Sequence, residues 1–386
     1  MTDNNMITNS TGIIKGVSAV VFCIFSFVFL YFYQADIIAV AQHVLSGGVT
    51  SYNKAVGAVL ITAILMLLQV GISSILRLPG VFHSMTYFPS LMILAFITSV
   101  SSDICKGFSW GIWPWLSVVL LVLWLACIYV MSQLKSDNMS SGMTLFSRQM
   151  WVNMMSMGMM FIVTGLVGNG NPVFHYRARM ERMLIEGNPD GALLAGKRSL
   201  ETNASLTMLR VYALARKGEL GNELFTYPVK GTSADLIPMK GNGVEFLMYP
   251  TDSLYRFLGA IPYYTKGSAK TYLQSLVNSG KASKAVKDYI LCGCLIDRDI
   301  DSFVKNLIMF YSVDNTLPKH YREALILYTH MRSNPLVVYH DNVMDTDYED
   351  MQRLEKCYDS DKRAMAHALF EQYYGTYWWY YNKKDM

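Results

Sequence analysis

The residues whose type and spacing come closest to a chemical motif are three alternating aspartates, Asp297, Asp299 and Asp301. Alternating carboxylates begin a calcium-binding loop, because their oxygens converge on one ion. Such a loop then requires Gly at its sixth position and Glu at its twelfth, where this chain has Ser302 and Ile308. The sequence therefore predicts no calcium site, and it favours Asp301 as the N-cap of a helix.

The other reactive residue types also lack a catalytic or metal-binding pattern. The 7 histidines include no HExxH or HxH motif, and His330 and His340 would meet only if folding happened to join them. The 6 cysteines include no CxxC pair, so we interpret them as structural. GxSxG, the P-loop and a GxGxxG before a helix are absent as well. We predict no catalytic residue, no metal site and no cofactor.

Composition divides the chain into two physical regimes. The whole chain is 52% hydrophobic and 16% charged, whereas ordinary globular domains are about 25% charged. The charge is concentrated after residue 169, and earlier residues include only a few widely separated Lys, Arg, Asp and Glu. This distribution predicts a membrane domain at 1–168 and a water-soluble domain at 169–386. Basic residues are not gathered on one segment, so no nucleic-acid partner is expected.

The first domain contains charge-free apolar runs that are typical of transmembrane helices. Trp and Tyr flank several of them, as they do at membrane–water interfaces. The segment at 36–54 is more polar and interrupted by Gly, so we expect it to lie on the surface or to re-enter. The five predicted spans lie within 16–35, 55–76, 87–100, 112–131 and 149–168.

The orientation follows from Lys and Arg in the short loops. Lys15, Arg77, Lys135 and Arg148 fall on the side of the N-terminus, and Lys54 and Lys106 fall on the other. This predicts a protein of a bacterial-type cytoplasmic (inner) membrane. Its N-terminus lies in the cytoplasm and its C-terminal domain outside. The spans are nearly free of the ionisable groups that proton and ion pumps place inside their bundles. The bundle is therefore expected to be an anchor in the bilayer or a packing partner for other membrane or envelope proteins.

The second domain has the pattern of short amphipathic helices joined by tight turns, which indicates antiparallel hairpins. Its pattern is interrupted at 226–266 by a segment rich in Gly and Pro that also contains Phe246 and Tyr249. Long irregular segments inside a compact domain are usually functional or disordered. We interpret this one either as an insertion that packs over the helices or as a contact for a partner or ligand.

Small residues recur at a fixed spacing in two patches of this domain, at Gly187, Ala192 and Ser199 and at Gly280, Ala285 and Cys292. These patches resemble the tetratricopeptide repeat, in which such residues let two helices pack closely. Neither patch has the Trp of that family, and Gly187 and Gly218 lie closer together than its repeat length. The resemblance implies stacked helical hairpins that bind proteins through a concave face. It also makes the chain similar to bacterial envelope proteins that join a membrane bundle to such repeats.

The end of the chain is unusually aromatic, with Tyr or Trp at most positions between Tyr373 and Tyr381. Three interpretations are open: a terminal helix that caps the domain, an aromatic patch on lipid headgroups, or a stacking surface for peptide or sugar. The candidate contacts with a partner or the membrane are Phe246, Tyr249, Tyr373, Tyr374, Tyr377, Trp378, Trp379, Lys383 and Lys384.

These observations together predict an all-α protein, a bundle of about five spans followed by a domain of tetratricopeptide-like hairpins. We expect it to act as a membrane-anchored scaffold or assembly protein and not as an enzyme. The alternative is an enzyme or transport component that acts on envelope glycans or lipids at the membrane surface.

Overall fold

The structure is a computed structural model that describes residues 2–76, 78, 80–107, 111–133, 147–259, 268–358 and 361–382. It divides into two compact units, Met1–Ala178 and Arg179–Met386, which we name the membrane unit and the helical unit. The described residues form helices and no β-strand, so the predicted all-α class is confirmed. The division between the units falls inside a helix, whereas the sequence analysis placed the domain limit at residue 168.

The helices are numbered in chain order. The membrane unit contains α1 (Thr2–Val28), α2 (Ala35–Leu45), α3 (Lys54–Leu76), α4 (Phe88–Thr98), α5 (Trp113–Gln133) and α6 (Arg148–Val167), and α7 (Pro172–Ile185) continues into the helical unit. The helical unit contains α8 (Pro189–Leu193), α9 (Ala204–Lys217), α10 (Leu220–Glu223), α11 (Thr251–Phe257), α12 (Ala269–Asn278), α13 (Lys284–Ile296), α14 (Ile300–Phe310), α15 (Lys319–Met331), α16 (Asn342–Cys357), α17 (Lys362–Tyr373) and α18 (Tyr377–Asn382).

Among the described residues, 5 helical segments are long and apolar enough to cross a membrane, which confirms the predicted number. Their length and composition indicate a multi-pass membrane protein. The helix α2 that follows the first of them has 11 residues, too few to span a hydrocarbon core of ~30 Å. The five segments are Gly12–Tyr33, Lys54–Leu76, Gly80–Thr98, Trp113–Gln133 and Arg148–Val167.

The third span is a composite of two helix types. Its first part, Gly80–Tyr87, is a 3₁₀-helix, and α4 forms the remainder. Pro89 stands in the first turn of α4, where its missing N–H costs nothing to α4 but would break a helix that continued from before it. Because a 3₁₀ segment leaves some backbone groups without ideal partners, side chains must satisfy them inside the apolar bundle.

Asn153 of α6 supplies two of these hydrogen bonds. Its Oδ1 accepts from the backbone N–H of Ser84 at 2.7 Å, and its Nδ2 donates to the carbonyl of Gly80 at 2.8 Å. Trp124 of α5 donates from Nε1 to the carbonyl of Met85 at 3.0 Å. Asn153 is fully buried. These side chains fix the irregular half of the third span against the neighbouring spans.

Asn169, just after α6, joins the ends of three membrane segments. Its N–H donates to the carbonyl of Thr98 at 2.9 Å, and its side-chain amide donates to the carbonyl of Val100. Its own carbonyl accepts from the Gln34 side chain at 3.3 Å and lies 2.7 Å from Nε2 of His175. The exit from the last span is therefore fixed to the ends of the first and third spans.

In the helical unit, helices buried on all sides form the core. The helix α9 buries Leu206, Met208 and Leu209 completely, and α13 does the same with Tyr289 and Leu291. The helix α13 packs against α9, α12 and α14. This arrangement gives an all-α domain that packs around two central helices.

Polar side chains cap the helices of this unit at the places where the sequence turns. Asn203 accepts from the N–H of Leu206 at 2.8 Å, and Gly218 ends the same helix, α9, in the left-handed conformation. Asp299 caps α14 by accepting from Ser302 N–H at 3.0 Å. The expectation that Asp301 would be this cap is wrong, because Asp301 lies inside the first turn and pairs with Arg332 at 2.6 Å.

The buried amide of Asn153 gives a direct test of the composite third span. Replacing it with Leu leaves the N–H of Ser84 and the carbonyl of Gly80 without partners in an apolar interior. We expect Asn153→Leu to destabilise the protein by roughly 1–3 kcal/mol, seen as a lower thermal unfolding temperature in detergent. Gln133→Leu, at an exposed amide of α5, is the matched control and should leave that temperature nearly unchanged. Equal unfolding temperatures for both variants would contradict this role of Asn153.

Candidate functional site

The first tetratricopeptide-like patch forms a turn and a very short helix. Gly187 follows α7 with φ +74°, and an added Cβ would meet no heavy atom within 4 Å. Ala192 is fully buried in α8, which has only 5 residues. Ser199 lies after α8, outside any helix. Gly187 is therefore required by the left-handed backbone and not by close approach of two helices.

The second patch forms a hairpin between α12 and α13. Gly280 lies in the turn with φ +69°, and again an added Cβ would meet nothing within 4 Å. Ala285 is half-buried in the first turn of α13, and Cys292 is fully buried further along it. Burial raises the pKa of the Cys292 thiol far above its ordinary value, which makes it a poor nucleophile.

The two candidate contact residues of the 226–266 segment, Phe246 and Tyr249, are buried and do not form a contact surface. Phe246 and Tyr249 are each 9% exposed, and their ring centroids are 5.3 Å apart. The Tyr249 hydroxyl lies 2.9 Å from that of Tyr212 on α9. Over its described part, to residue 259, this segment therefore packs against the helices, and residues 260–266 lie outside the described residues.

Glu181 of α7 holds the same segment, and sequence reasoning missed it. Its carboxylate is completely buried and accepts backbone N–H groups from Leu247, Met248 and Tyr249 at 2.6–2.9 Å. A carboxylate that receives several backbone N–H bonds is strongly stabilised in its charged form. A single Glu on the apolar face of α7 is the only sequence signal for this site.

The aromatic end of the chain is also mostly buried. Tyr377, Trp378 and Trp379 are 0%, 3% and 8% exposed, so they do not present a surface to lipid, sugar or a partner. They pack inside the helical unit because α18 lies against α15 and α17. Tyr373 and Tyr374 are half-buried, and Lys383 and Lys384 lie outside the described residues.

A buried His–Glu pair on α15 holds this aromatic helix in place. His320 Nε2 accepts from the Phe225 N–H at 3.3 Å, so its Nδ1 carries the proton that is donated to Glu323 Oε2 at 2.8 Å. The same Oε2 accepts from the Tyr377 N–H at 2.7 Å. The Glu323 backbone carbonyl accepts from Trp378 Nε1 at 2.7 Å. These groups all hydrogen-bond to one another, so the His320–Glu323 pair has a structural role.

A second polar cluster surrounds Asp288 on α13. Its Oδ1 accepts from the hydroxyls of Tyr311 and Tyr321, each at 2.8 Å. Burial raises the pKa of the Asp288 carboxyl, although the two tyrosine hydrogen bonds oppose the shift. Cys292 Sγ lies 3.6 Å from the Tyr321 hydroxyl. The Asp288 carboxyl thus connects α13 to Tyr321 in the first turn of α15 and to Tyr311, which precedes α15.

His330 and His340 meet after all, because both contact Asp345. His330 Nε2 lies 3.3 Å from Asp345 Oδ1, and His340 Nδ1 lies 3.2 Å from Oδ2. Asp345 belongs to α16, so this contact joins the end of α15 to the start of α16. Within the described residues, no group of three or more His, Cys, Asp or Glu side chains could hold a metal ion.

Three aliphatic side chains near these histidines are exposed on one short segment. Leu336, Val338 and Val343, which we name the aliphatic segment, are 64%, 60% and 70% exposed. Single exposed aliphatic residues are ordinary, but these three lie within eight residues of the chain, and contiguous exposed apolar surface marks interaction sites in soluble proteins. This segment is therefore the candidate binding surface.

The backbone of the aliphatic segment is fixed, although its side chains are exposed. The Leu336 N–H donates to the Tyr328 hydroxyl at 3.1 Å, and the Tyr339 N–H donates to Thr329 Oγ1 at 3.3 Å. The Tyr339 hydroxyl donates to Asn315 at 2.9 Å. A surface held in one conformation loses little entropy when a partner binds.

Carboxylates follow the aliphatic segment on α16. Asp347, Glu349 and Asp350 are exposed, and the neighbouring Arg353 contacts both Glu349 and Asp350, at 3.5 and 3.0 Å. The sequence analysis did not single out this surface, because an apolar run such as Leu336–Tyr339 has the same pattern whether it is buried or exposed.

Burial of the aromatic end gives a stability prediction. Tyr377→Ala removes a fully buried side chain whose ring centroid is 5.1 Å from that of Phe225. We expect a loss of ~3–5 kcal/mol and faster hydrogen exchange in α15 and α18. Tyr358→Ala, at a residue that is 37% exposed, should change stability by about 0.5 kcal/mol or less. If Tyr377 instead contacted lipid, its replacement would leave the unfolding temperature unchanged.

Comparison with known proteins finds one partial match and no activity. Residues 252–384 match the profile of a family of unknown function, DUF6057. No curated protein and no solved structure matches the chain. The matched part begins in α11 and includes the Asp288 cluster, the His320–Glu323 pair and the aliphatic segment.

Proposed function

We propose that this chain is a membrane-anchored scaffold or assembly protein whose helical unit binds another membrane or envelope protein. One observation carries the proposal: the aliphatic segment projects Leu336, Val338 and Val343 into solvent from a backbone held by hydrogen bonds. Burying such side chains against a partner contributes ~1.5–3 kcal/mol each. The second tetratricopeptide-like patch, which forms the hairpin between α12 and α13, supports the same class of function, since hairpins of that family bind proteins.

The charge beside the aliphatic segment favours a protein partner over a lipid surface. Asp347, Glu349 and Asp350 are exposed on α16, and anionic headgroups would repel them. A protein that offers apolar side chains flanked by Lys or Arg would complement this surface. The expected partner is therefore a membrane or envelope protein with a basic rim around an apolar patch.

Crosslinking in cells tests the scaffold proposal. A photoreactive amino acid at position 338 should crosslink to a discrete partner, whereas the same group at Leu194, which is 69% exposed in the helical unit, should not. The combined variant Leu336→Ser and Val338→Ser should weaken binding of the identified, purified partner about tenfold or more. Leu194→Ser with Leu200→Ser is the control and should bind normally.

Two results would overturn this proposal. One is a full-length chain that purifies alone and gives no crosslink from position 338. The other is that the wild type and the variant with Leu336→Ser and Val338→Ser bind the captured protein with equal affinity. This result counts when the variant and its control unfold at the wild-type temperature.

We further propose a bacterial-type cytoplasmic membrane with the N-terminus in the cytoplasm and the helical unit outside. Five crossing segments put the two ends of the chain on opposite sides. Lys15, Arg77, Lys135 and Arg148 belong to one side, against Lys54 and Lys106 on the other, and short loops rich in Lys and Arg stay in the cytoplasm.

Cys357 provides a native reporter of this orientation. It is an exposed free cysteine of α16 in the helical unit. A membrane-impermeant maleimide should label it in intact cells, and Cys357→Ser should remove that label when both proteins also carry Cys105→Ser, since Cys105 adjoins Lys106 on the same predicted side. Labelling of Cys357 only after lysis would reverse the orientation. Cys292 and Cys294 are buried and should react only after unfolding, which gives an internal control.

A further inference from the structure

A cavity of about 610 Å³ lies in the membrane unit, next to α2. Its volume is in the range of small-ligand sites. Five parts of the membrane unit contribute to its wall: one face of α2, Ile61 of α3, the end of α4, the turn after α4 and the start of α5. The lining residues are Ile38, Ala41, Gln42, Leu45, Ser46, Ile61, Phe96, Ile97, Ser99, Val100, Ser101, Ile104, Gly107 and Trp113.

The helix α2 is apolar on two faces. Ile37 and Val40 are fully buried on one of them. Ile38, Ala41 and Leu45 lie on the other face, at helical spacing, and line the cavity. Leu45 is 62% exposed. An apolar face of this kind is unfavourable in water, so it fits a cavity filled by hydrocarbon.

The polar groups around the cavity already have partners in the protein. Gln42 Nε2 donates to Thr50 Oγ1 at 3.0 Å, and Ser46 Oγ donates to the His43 carbonyl at 3.3 Å. Ser99 Oγ donates to the Phe96 carbonyl at 3.0 Å. The lining residues include no charged side chain. The cavity is therefore poorly suited to an ion or a sugar, and its remaining surface suits an alkyl chain.

The cavity lies where membrane spans begin and end. Phe96 and Ile97 are in the last turn of the third span, and Trp113 is the first residue of the fourth. The Trp113 and Phe96 rings meet edge to face, with centroids 5.5 Å apart. Trp is typical of the membrane–water interface, the depth at which a lipid's headgroup meets its acyl chains.

We propose that this cavity binds one acyl chain of a membrane lipid, with the lipid headgroup beside Gln42, Ser46 and Ser101. The chain packs against Ile38, Ala41 and Leu45 of α2 and against Phe96 and Ile97 of α4. A bound lipid of this kind fastens α2 to the bundle. The proposal is independent of the protein-binding role of the helical unit.

Ala41→Trp tests the site because it fills the cavity from its wall. The full-length protein is extracted from membranes in a mild detergent, and retained phospholipid is counted by native mass spectrometry. Wild-type protein should retain about one lipid per chain after washing. The amount of lipid retained by Ala41→Trp should be at least tenfold lower. Ala63→Trp, at an exposed position of α3, is the matched control and should retain the lipid. Equal retention by all three proteins would overturn the proposal.

A second measurement uses wild-type protein, so it is informative even if Ala41→Trp fails to fold. A phosphatidylethanolamine with a diazirine on its palmitoyl-length chain is mixed into vesicles containing the full chain. Photolysis should place adducts on residues 38–45 and 96–104, and excess unlabelled lipid should reduce them slowly. Adducts spread evenly over the lipid-facing side of α5 would contradict a specific site. A photoreactive amino acid placed at position 41 gives a further check in cells. A crosslink from it to a protein segment would show that protein, and not lipid, occupies the cavity.

Discussion

The membrane unit depends on the rule that every backbone N–H and C=O inside an apolar medium must find a partner within the protein. Regular α-helices obey this rule by themselves. The first span ends in a π-helical turn at Phe29–Tyr33, and the second, fourth and fifth spans are regular. The third span is not, because Gly80–Tyr87 is a 3₁₀-helix and Pro89 lacks a donor. Asn153 and Trp124 satisfy that span from neighbouring helices. Buried polar residues in these spans thus have a structural role, and no transport role is needed to explain them.

The helical unit solves the same problem with charged groups. Its irregular segment at 245–249 would leave several N–H groups buried, and the Glu181 carboxylate accepts three of them. The entry to α18 is fixed likewise by Glu323, which accepts from Tyr377 and from His320. A buried carboxylate is costly unless it is fully hydrogen-bonded. Each of these two carboxylates therefore holds the segment whose N–H groups it accepts in one conformation.

Sequence patterns predicted the spans and the helices but not the burial of particular aromatic residues. Hydropathy over about twenty residues identifies a span because the signal is local. The fate of Tyr377 depends on Glu323 and Phe225, which lie far away in sequence, and no local pattern contains that information. Asp345 shows the same limit, since it brings together His330 and His340 from separate segments. No local pattern predicted the cavity beside α2 either, because its wall combines residues from α2, α3, α4, the turn after α4 and α5.

An exposed aliphatic side chain has opposite meanings in the two units. Leu67 on α3 is 71% exposed, and in a span this is the expected state, because lipid is as apolar as the side chain. Leu336 is exposed to a similar extent, 64%, but it lies in a unit whose surface carries most of the charge of the chain. Only there does exposure to water oppose the hydrophobic effect and call for a partner. Burial must therefore be judged against the solvent of each unit, which makes the aliphatic segment, and not the larger apolar surface of the spans, the strongest candidate for protein binding.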